Sequence, residues 1–261
     1  MDNHLRIVSK LIIYPLLVSI SPFCAIYVND LYIFHSNPIL PPPLSEEKWA
    51  ASLPMRTYHS THPIVYSIES ETGEKFVVKE VRDLSLKTKI ASKFLVAHEY
   101  AILQAIQDVP HVTHLIGKIN KQAFCMNYIP SIGKPRLTIE QAHLVKMQLR
   151  SVVNNLHEKN VCFLDLCTSN ILFSPDLTPN IIDFGSSIKL SPILKKIIGP
   201  YLYRKDYIHL LKLMFRLAPQ GLSEDELKQL LTYYKGKHFR KKLDPFIKEI
   251  QQHMKKDSSN F

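Results

Sequence analysis

Cysteine is scarce in this chain of 261 residues. Its four cysteines, Cys24, Cys125, Cys162 and Cys167, show no CxxC spacing and sit in apolar runs. That excludes a disulfide framework and a cysteine zinc site, and it favours buried, reduced thiols in a reducing compartment. Glycine is scarce too: there are seven, and none falls between Tyr58 and Pro63. That stretch lacks the backbone freedom that lets main chain approach a ligand closely. Low-complexity runs are few and charged residues make up 21%, against disorder. An apolar fraction of 46% is enough for a sizeable core, in one large domain or two small ones.

Acidic residues are short in the last third. Residues 1–188 carry 17 Lys/Arg against 16 Asp/Glu, whereas residues 189–256 carry 16 against 6. Nearly all of the net +10 therefore lies in the second stretch. A field of that sign suits an anionic acceptor or an anionic membrane surface, and it equally suits a solvated basic face. No nucleic-acid partner is expected.

One run lacks charge altogether. Leu11 to Val28 is 18 uncharged residues, preceded by Arg6 and Lys10, followed by Asp30, and interrupted by Pro15 and Pro22. It is long enough to span a bilayer. A basic flank would then leave the N-terminus in the cytoplasm and the rest outside. The alternatives are a short apolar helix over residues 11–22, docked or interfacial, with a hairpin turn at Asn29-Asp30, or a signal peptide. Membrane association through residues 11–28 is the shared expectation. The expected organisation is an apolar segment over 1–36 and a proline-rich linker over 37–44. A smaller lobe follows over 45–129, then a larger lobe over 130–256 and a tail over 257–261.

What is present centres on residues 161–187. Asp165 is followed five positions later by Asn170, then by a short apolar strand, Ile171-Leu172-Phe173. Ser174-Pro175-Asp176 starts a turn, and Asn180-Ile181-Ile182 reads as a second strand delivering Asp183-Phe184-Gly185. A hairpin of this kind brings Asn170 and Asp183 to one end, with Asp165 on the loop before it. A carboxylate and an amide there can hold Mg²⁺ through hard oxygen donors, and a second carboxylate can orient a hydroxyl.

This pattern resembles the protein-kinase superfamily, whose catalytic-loop Asp, four residues, Asn and a later Asp-Phe-Gly it reproduces. The resemblance implies an α+β, bilobal fold with a small β-rich lobe and an abbreviated helical lobe. It implies an ATP- and Mg²⁺-dependent phosphotransferase acting on a hydroxyl. Asp165 would meet the acceptor, and Asn170 and Asp183 would hold metal.

Upstream, Ile64–Glu69 and Phe76–Val81 read as strands around a Glu71-Thr72-Gly73-Glu74 turn. Lys79 stands in the second. Leu95 to Ile106 has helical periodicity and carries Glu99. By resemblance Lys79 holds the ATP phosphates, fixed by Glu99. The backbone of Met126, Asn127 and Tyr128, in the linker after Ala123, would hold adenine.

Thr138 to Glu158 reads as a helix with Leu144, Met147, Leu149, Val152, Val153 and Leu156 apolar. A helix is expected to open at Asp206, and Ser223-Glu-Asp-Glu226 reads as a capping box for a last one. Lys195, Lys196, Arg204 and Lys205 would fall between Asp-Phe-Gly and the Asp206 helix, nearest the transferred group.

Within the superfamily, the abbreviated large lobe looks like small bacterial kinases related to lipopolysaccharide (Kdo/heptose) kinases, with RIO-type kinases more distant. Val109-Pro-His-Val112, Tyr128-Ile129, Asp165-Leu166, Ser169-Asn170-Ile171-Leu172, Ile182-Asp183-Phe184 and Asp206 through Pro219 carry that likeness, which covers Trp49 to Leu231. It implies an anionic glycolipid or a protein as acceptor, in the cytoplasm or at the cytoplasmic face of a bacterial membrane.

Departures are plain. No glycine-rich loop precedes the first strand, Phe163-Leu164-Asp165 replaces His-Arg-Asp, Cys167 replaces the usual Lys, and no Ala-Pro-Glu follows. A pseudokinase, or an interaction protein without a nucleotide role, are the competing readings.

Overall fold

The computed structural model describes residues 63–70, 72–80, 86–120, 123–235 and 245–253. Outside them lie the apolar run 11–28, the Asn29-Asp30 turn, the linker 37–44 and Cys24. Also outside are most of the glycine-free stretch 58–63 and the basic run His238–Lys242. The chain divides into two units, residues 1–104 with 114–128, and residues 105–113 with 129–261.

The first unit is an antiparallel sheet of β1 (Ile64–Glu69), β2 (Lys75–Glu80), β3 (Leu115–Asn120) and β4 (Ala123–Asn127), ordered β1-β2-β4-β3. Gly73, at φ +82°, makes the β1–β2 turn, a conformation that glycine adopts without strain. Tyr66, Ile68, Phe76, Val78, Ile119, Ala123 and Cys125 form one core cluster. Side chains alternate along a strand, so Val77 and Lys79 leave by the face opposite Phe76 and Val78. Helix α1 (Leu86–Ala105) begins well before the periodic stretch read from sequence.

The second unit is mainly helical. Its framework is α2 (Ile139–Glu158), α3 (Pro192–Leu217), α4 (Glu224–Lys235) and a helical segment over residues 245–253. Thr138 caps α2 through a reciprocal box. Its Oγ1 accepts from Gln141 N at 3.3 Å and its own N–H donates to Gln141 Oε1 at 2.9 Å. The box expected at Ser223 and Glu226 is also present, with Ser223 N donating to Glu226 Oε2 at 2.9 Å.

Two short antiparallel pairs complete the unit: β5 (Val161–Cys162) with β8 (Ile188–Lys189), and β6 (Ile171–Phe173) with β7 (Pro179–Ile181). The α2 stripe differs from the sequence pattern. Ala142, Val145, Leu149, Val152, Val153 and Leu156 are buried, whereas Leu144 and Met147 are 55% and 67% exposed.

The largest departure is α3. Its start lies at Pro192, capped by Ser191 Oγ, which accepts from Leu194 N at 3.3 Å. Asp206 therefore sits mid-helix, 1% exposed, and opens nothing. Lys195, Lys196, Arg204 and Lys205 lie on the helix and not on a connecting segment before it. Pro200 lies inside the helix, where it cannot donate to the Lys196 carbonyl and its ring crowds that carbonyl.

Candidate active site

In the first unit, Lys79 lies in register with Val65 of β1 and Phe124 of β4. Its Nζ is 2.5 Å from Glu99 Oε2, with the two side chains 11% and 2% exposed. Burying either charge alone would cost several kcal/mol, so the ion pair is what allows both to sit inside. Tyr100, next to Glu99 on α1, packs edge-on to Phe124 at 6.0 Å and helps fix the helix against the sheet.

Met126 is buried in β4. Asn127 is tied to His114: its N–H donates to the His114 carbonyl at 3.0 Å, and its Oδ1 accepts from His114 N at 2.7 Å. That main-chain donor is therefore spent within the unit and is not offered to a base. The Tyr128 ring lies beneath the Lys75 ammonium, 5.9 Å from its centroid.

In the second unit, β6 and β7 pair Ile171 with Ile181, Leu172 with Asn180 and Phe173 with Pro179. The Ile182 N–H then donates to the Asn170 carbonyl at 2.9 Å. Asn170 and Asp183 accordingly emerge from one end of the hairpin. Residues 111–113 brace it, through Ile181 N to His111 O and Thr113 N to Ile181 O, both 2.9 Å. Asn170, nearly buried, turns its amide onto the loop. Its Nδ2 donates to the Asp165 carbonyl at 2.9 Å and to Asp165 Oδ2 at 3.3 Å. Its Oδ1 accepts from Ser169 Oγ at 3.4 Å, a long bond that a cation could replace.

Asp183 is exposed, at φ +65° and ψ +77°, with Oδ1 accepting from Gly185 N at 3.4 Å. Left-handed backbone is tolerated by Asp because its side chain bonds locally. Asp165, Asn170 and Asp183 are thus gathered by one short loop and one hairpin. Two oxygen-bearing side chains with room for phosphate and water suit Mg²⁺, which is commonly held by one or two carboxylates.

Sequence reasoning missed what holds this loop in place. Asp206 Oδ1 accepts from Leu164 N at 2.7 Å, and Oδ2 accepts from Phe163 N at 2.9 Å. His157 Nε2 is 2.9 Å from the same Oδ2, and an ionised carboxylate only accepts, so the imidazole donates. Leu164 is held at φ +64°, unusual for a branched residue. The Tyr203 ring stacks on His157 at 4.1 Å between centroids.

Phe163 contacts Phe184 edge-to-face at 5.0 Å, so the aromatic that replaces a histidine packs onto the Phe of Asp-Phe-Gly. Burial, then the Asp206 charge, push the Cys162 thiol up to about 12. Burial, then Lys205, lower His209 to about 4. Cys125 and Cys162 are buried and unpaired, as expected, but Cys167 is half-buried beside Ser169, with Sγ to Oγ 3.1 Å.

A four-stranded sheet with a buried Lys–Glu pair, and a helical unit with an Asp–Asn loop and an Asp-Phe-Gly hairpin, define an α+β kinase-like fold. The protein kinase domain family matches residues 62–205, more than half of the chain, and the chain belongs to that family. It is similar to maternal embryonic leucine zipper kinase of Xenopus tropicalis, 29% identical over 132 residues. That alignment covers 45% of this chain and 19% of the relative. It is also similar to CBL-interacting serine/threonine-protein kinase 18 of Arabidopsis thaliana, 30% identical over 142 residues. There the coverage is 49% and 26%. The chain thus spans about a quarter or less of the length of these relatives.

Proposed function

We propose that the chain is an ATP-dependent phosphotransferase acting on an alcohol hydroxyl. The observation that carries this reading is the convergence of Asp165, Asn170 and Asp183 at one end of the β6–β7 hairpin. Asp165 accepts the hydroxyl proton and aims the oxygen, while the Asn170 amide fixes that carboxylate. Asn170 Oδ1 and Asp183 hold the cation. Bound Mg²⁺ supplies charge neutralisation for the phosphate oxygens. Lys79 supplies a further cation for the nucleotide phosphates, aimed by Glu99. Met126 and Tyr128 offer main-chain groups to adenine. The rate comes from positioning and fixed charge more than from covalent chemistry.

For the acceptor, the likeness to lipopolysaccharide kinases and the basic excess after residue 188 support a sugar hydroxyl of an anionic glycolipid. The name of the Arabidopsis thaliana relative supports a protein Ser or Thr as the other acceptor. The activity belongs where ATP is, on the cytoplasmic side. A second reading, nucleotide binding without turnover, is favoured by Cys167 standing where the family carries a lysine. The test uses ATP labelled at the γ-phosphate, with lipopolysaccharide or a generic protein as acceptor. Label should enter one of them and be lost in Asp165→Asn. No transfer to either, with MgATP still bound, leaves the pseudokinase reading in its place.

A further inference from the structure

The first three turns of α3 carry two neighbouring apolar stripes, about 100° apart around the helix. Leu194, Ile198, Leu202 and Tyr203 point inward, against the cluster of Cys162 and Leu190. Ile193, Ile197 and Tyr201 recur every fourth residue on the outer face, 51%, 70% and 58% exposed. A helix apolar over so wide an arc is normally covered along both stripes. Around this stripe, Lys195, Lys196, Pro200 and Arg204 are also exposed. From Phe184 to Lys205 there are five cations, Lys189, Lys195, Lys196, Arg204 and Lys205, and no acidic residue. Beside Arg204 an open depression of about 370 Å³ is lined by Lys228, Gln229, Thr232 and Asp225.

We infer that this outer face of α3 docks on an anionic lipid bilayer surface. Three features choose that occupant. The stripe is a convex ridge of one helix, which suits a soft planar interface and not a peptide that needs a groove. Isoleucine, isoleucine and tyrosine can enter the boundary between headgroups and acyl chains, where an amphipathic helix lies. The surrounding Lys and Arg carry the charge that an anionic leaflet attracts, and the Arg204 depression has room for a headgroup. This surface is independent of the phosphotransferase reading.

The test follows one tryptophan placed on the stripe of the full-length chain. Trp49 is the sole native tryptophan, so Trp49→Phe with Tyr201→Trp reports from α3 alone, however residues 11–28 behave. Vesicles of brominated phosphatidylglycerol should quench it at low salt. Vesicles of brominated phosphatidylcholine should need about tenfold more lipid, as should Ile197→Glu, Lys195→Glu with Lys196→Glu, or high salt. Circular dichroism and melting check that each variant is folded.

A folded protein showing no quenching by anionic vesicles at low salt overturns the proposal, as does equal, salt-independent quenching by both lipids. A tryptophan already shielded from acrylamide in the free chain also overturns it, because a segment such as residues 11–28 would then cover the face. A dimer that Ile197→Glu dissociates overturns it in favour of a second copy. Quenching by anionic vesicles in a chain that binds no MgATP sustains this surface and sinks the phosphotransferase reading instead.

Discussion

Removing the Asp206 carboxylate should be among the costliest single changes in the described part of the chain. The residue is 1% exposed and accepts from Phe163 N, Leu164 N and His157 Nε2. Asp206→Ala leaves two main-chain donors without acceptors, each costing about 1–3 kcal/mol. It also releases Leu164 from left-handed backbone that a non-glycine residue holds at roughly 1–2 kcal/mol, which returns part of the loss. The net expectation is about 1–4 kcal/mol, a large share of the 5–15 kcal/mol that stabilises a domain. Asp206→Asn keeps one carbonyl acceptor but turns an amide towards a donor, so about 1–3 kcal/mol is expected. Urea unfolding followed by circular dichroism measures both. In protein that remains folded, phosphotransfer should fall much further than MgATP affinity, because Lys79 and Glu99 belong to the other unit. An Asp206→Ala loss below about 1 kcal/mol would refute the reasoning.

Acid should weaken the fold through His209. Its folded pKa of about 4 lies below the ordinary value near 6.5, because burial and the Lys205 and Lys212 charges disfavour the imidazolium. The unfolded chain then binds more protons between those values, so stability is complete above pH 6.5 and falls as pH drops towards 4. The loss approaches about 3 kcal/mol. His209→Gln should flatten that part of the profile, and an unchanged profile of urea midpoints would contradict it. Gly221→Ala should cost about 1–3 kcal/mol, because a Cβ there meets Ala142 Cβ at 2.7 Å. A variant melting with wild type would show that the α2 contact gives way easily.

The parts of this protein legible in sequence are those whose signals are local. The β6–β7 hairpin announces itself by two apolar runs around a polar turn, and its register alone brings Asn170 and Asp183 together. Lys79 in an apolar strand demands a buried partner, and Glu99 is the acid on the following helix. The α3 start carries no clear signal in sequence, since Gly199-Pro200 inside the helix imitates a break. The first turns survive it since Leu194, Ile198 and Leu202 pack inward, which offsets the bond that proline forfeits and the crowding of its ring. Asp206 misleads for the same reason: a polar residue before an apolar run imitates a cap. Its true partners, Phe163, Leu164 and His157, lie 42–49 residues away, a distance no periodicity spans. Leu144 and Met147 lie outside the buried stripe of α2, because the core takes Ala142 and Val145 instead.

The most direct test of the central claim is titration calorimetry of ATP binding, with and without Mg²⁺, on the wild type, Asp183→Asn and Asp165→Asn. Asp183 is read as a cation ligand and Asp165 as the group that meets the acceptor. Wild type should therefore bind MgATP more tightly than ATP with EDTA. Asp183→Asn should lose that difference, and Asp165→Asn should keep it while abolishing transfer. Equal effects of the two substitutions on MgATP affinity, or no dependence on Mg²⁺ in the wild type, would contradict the account.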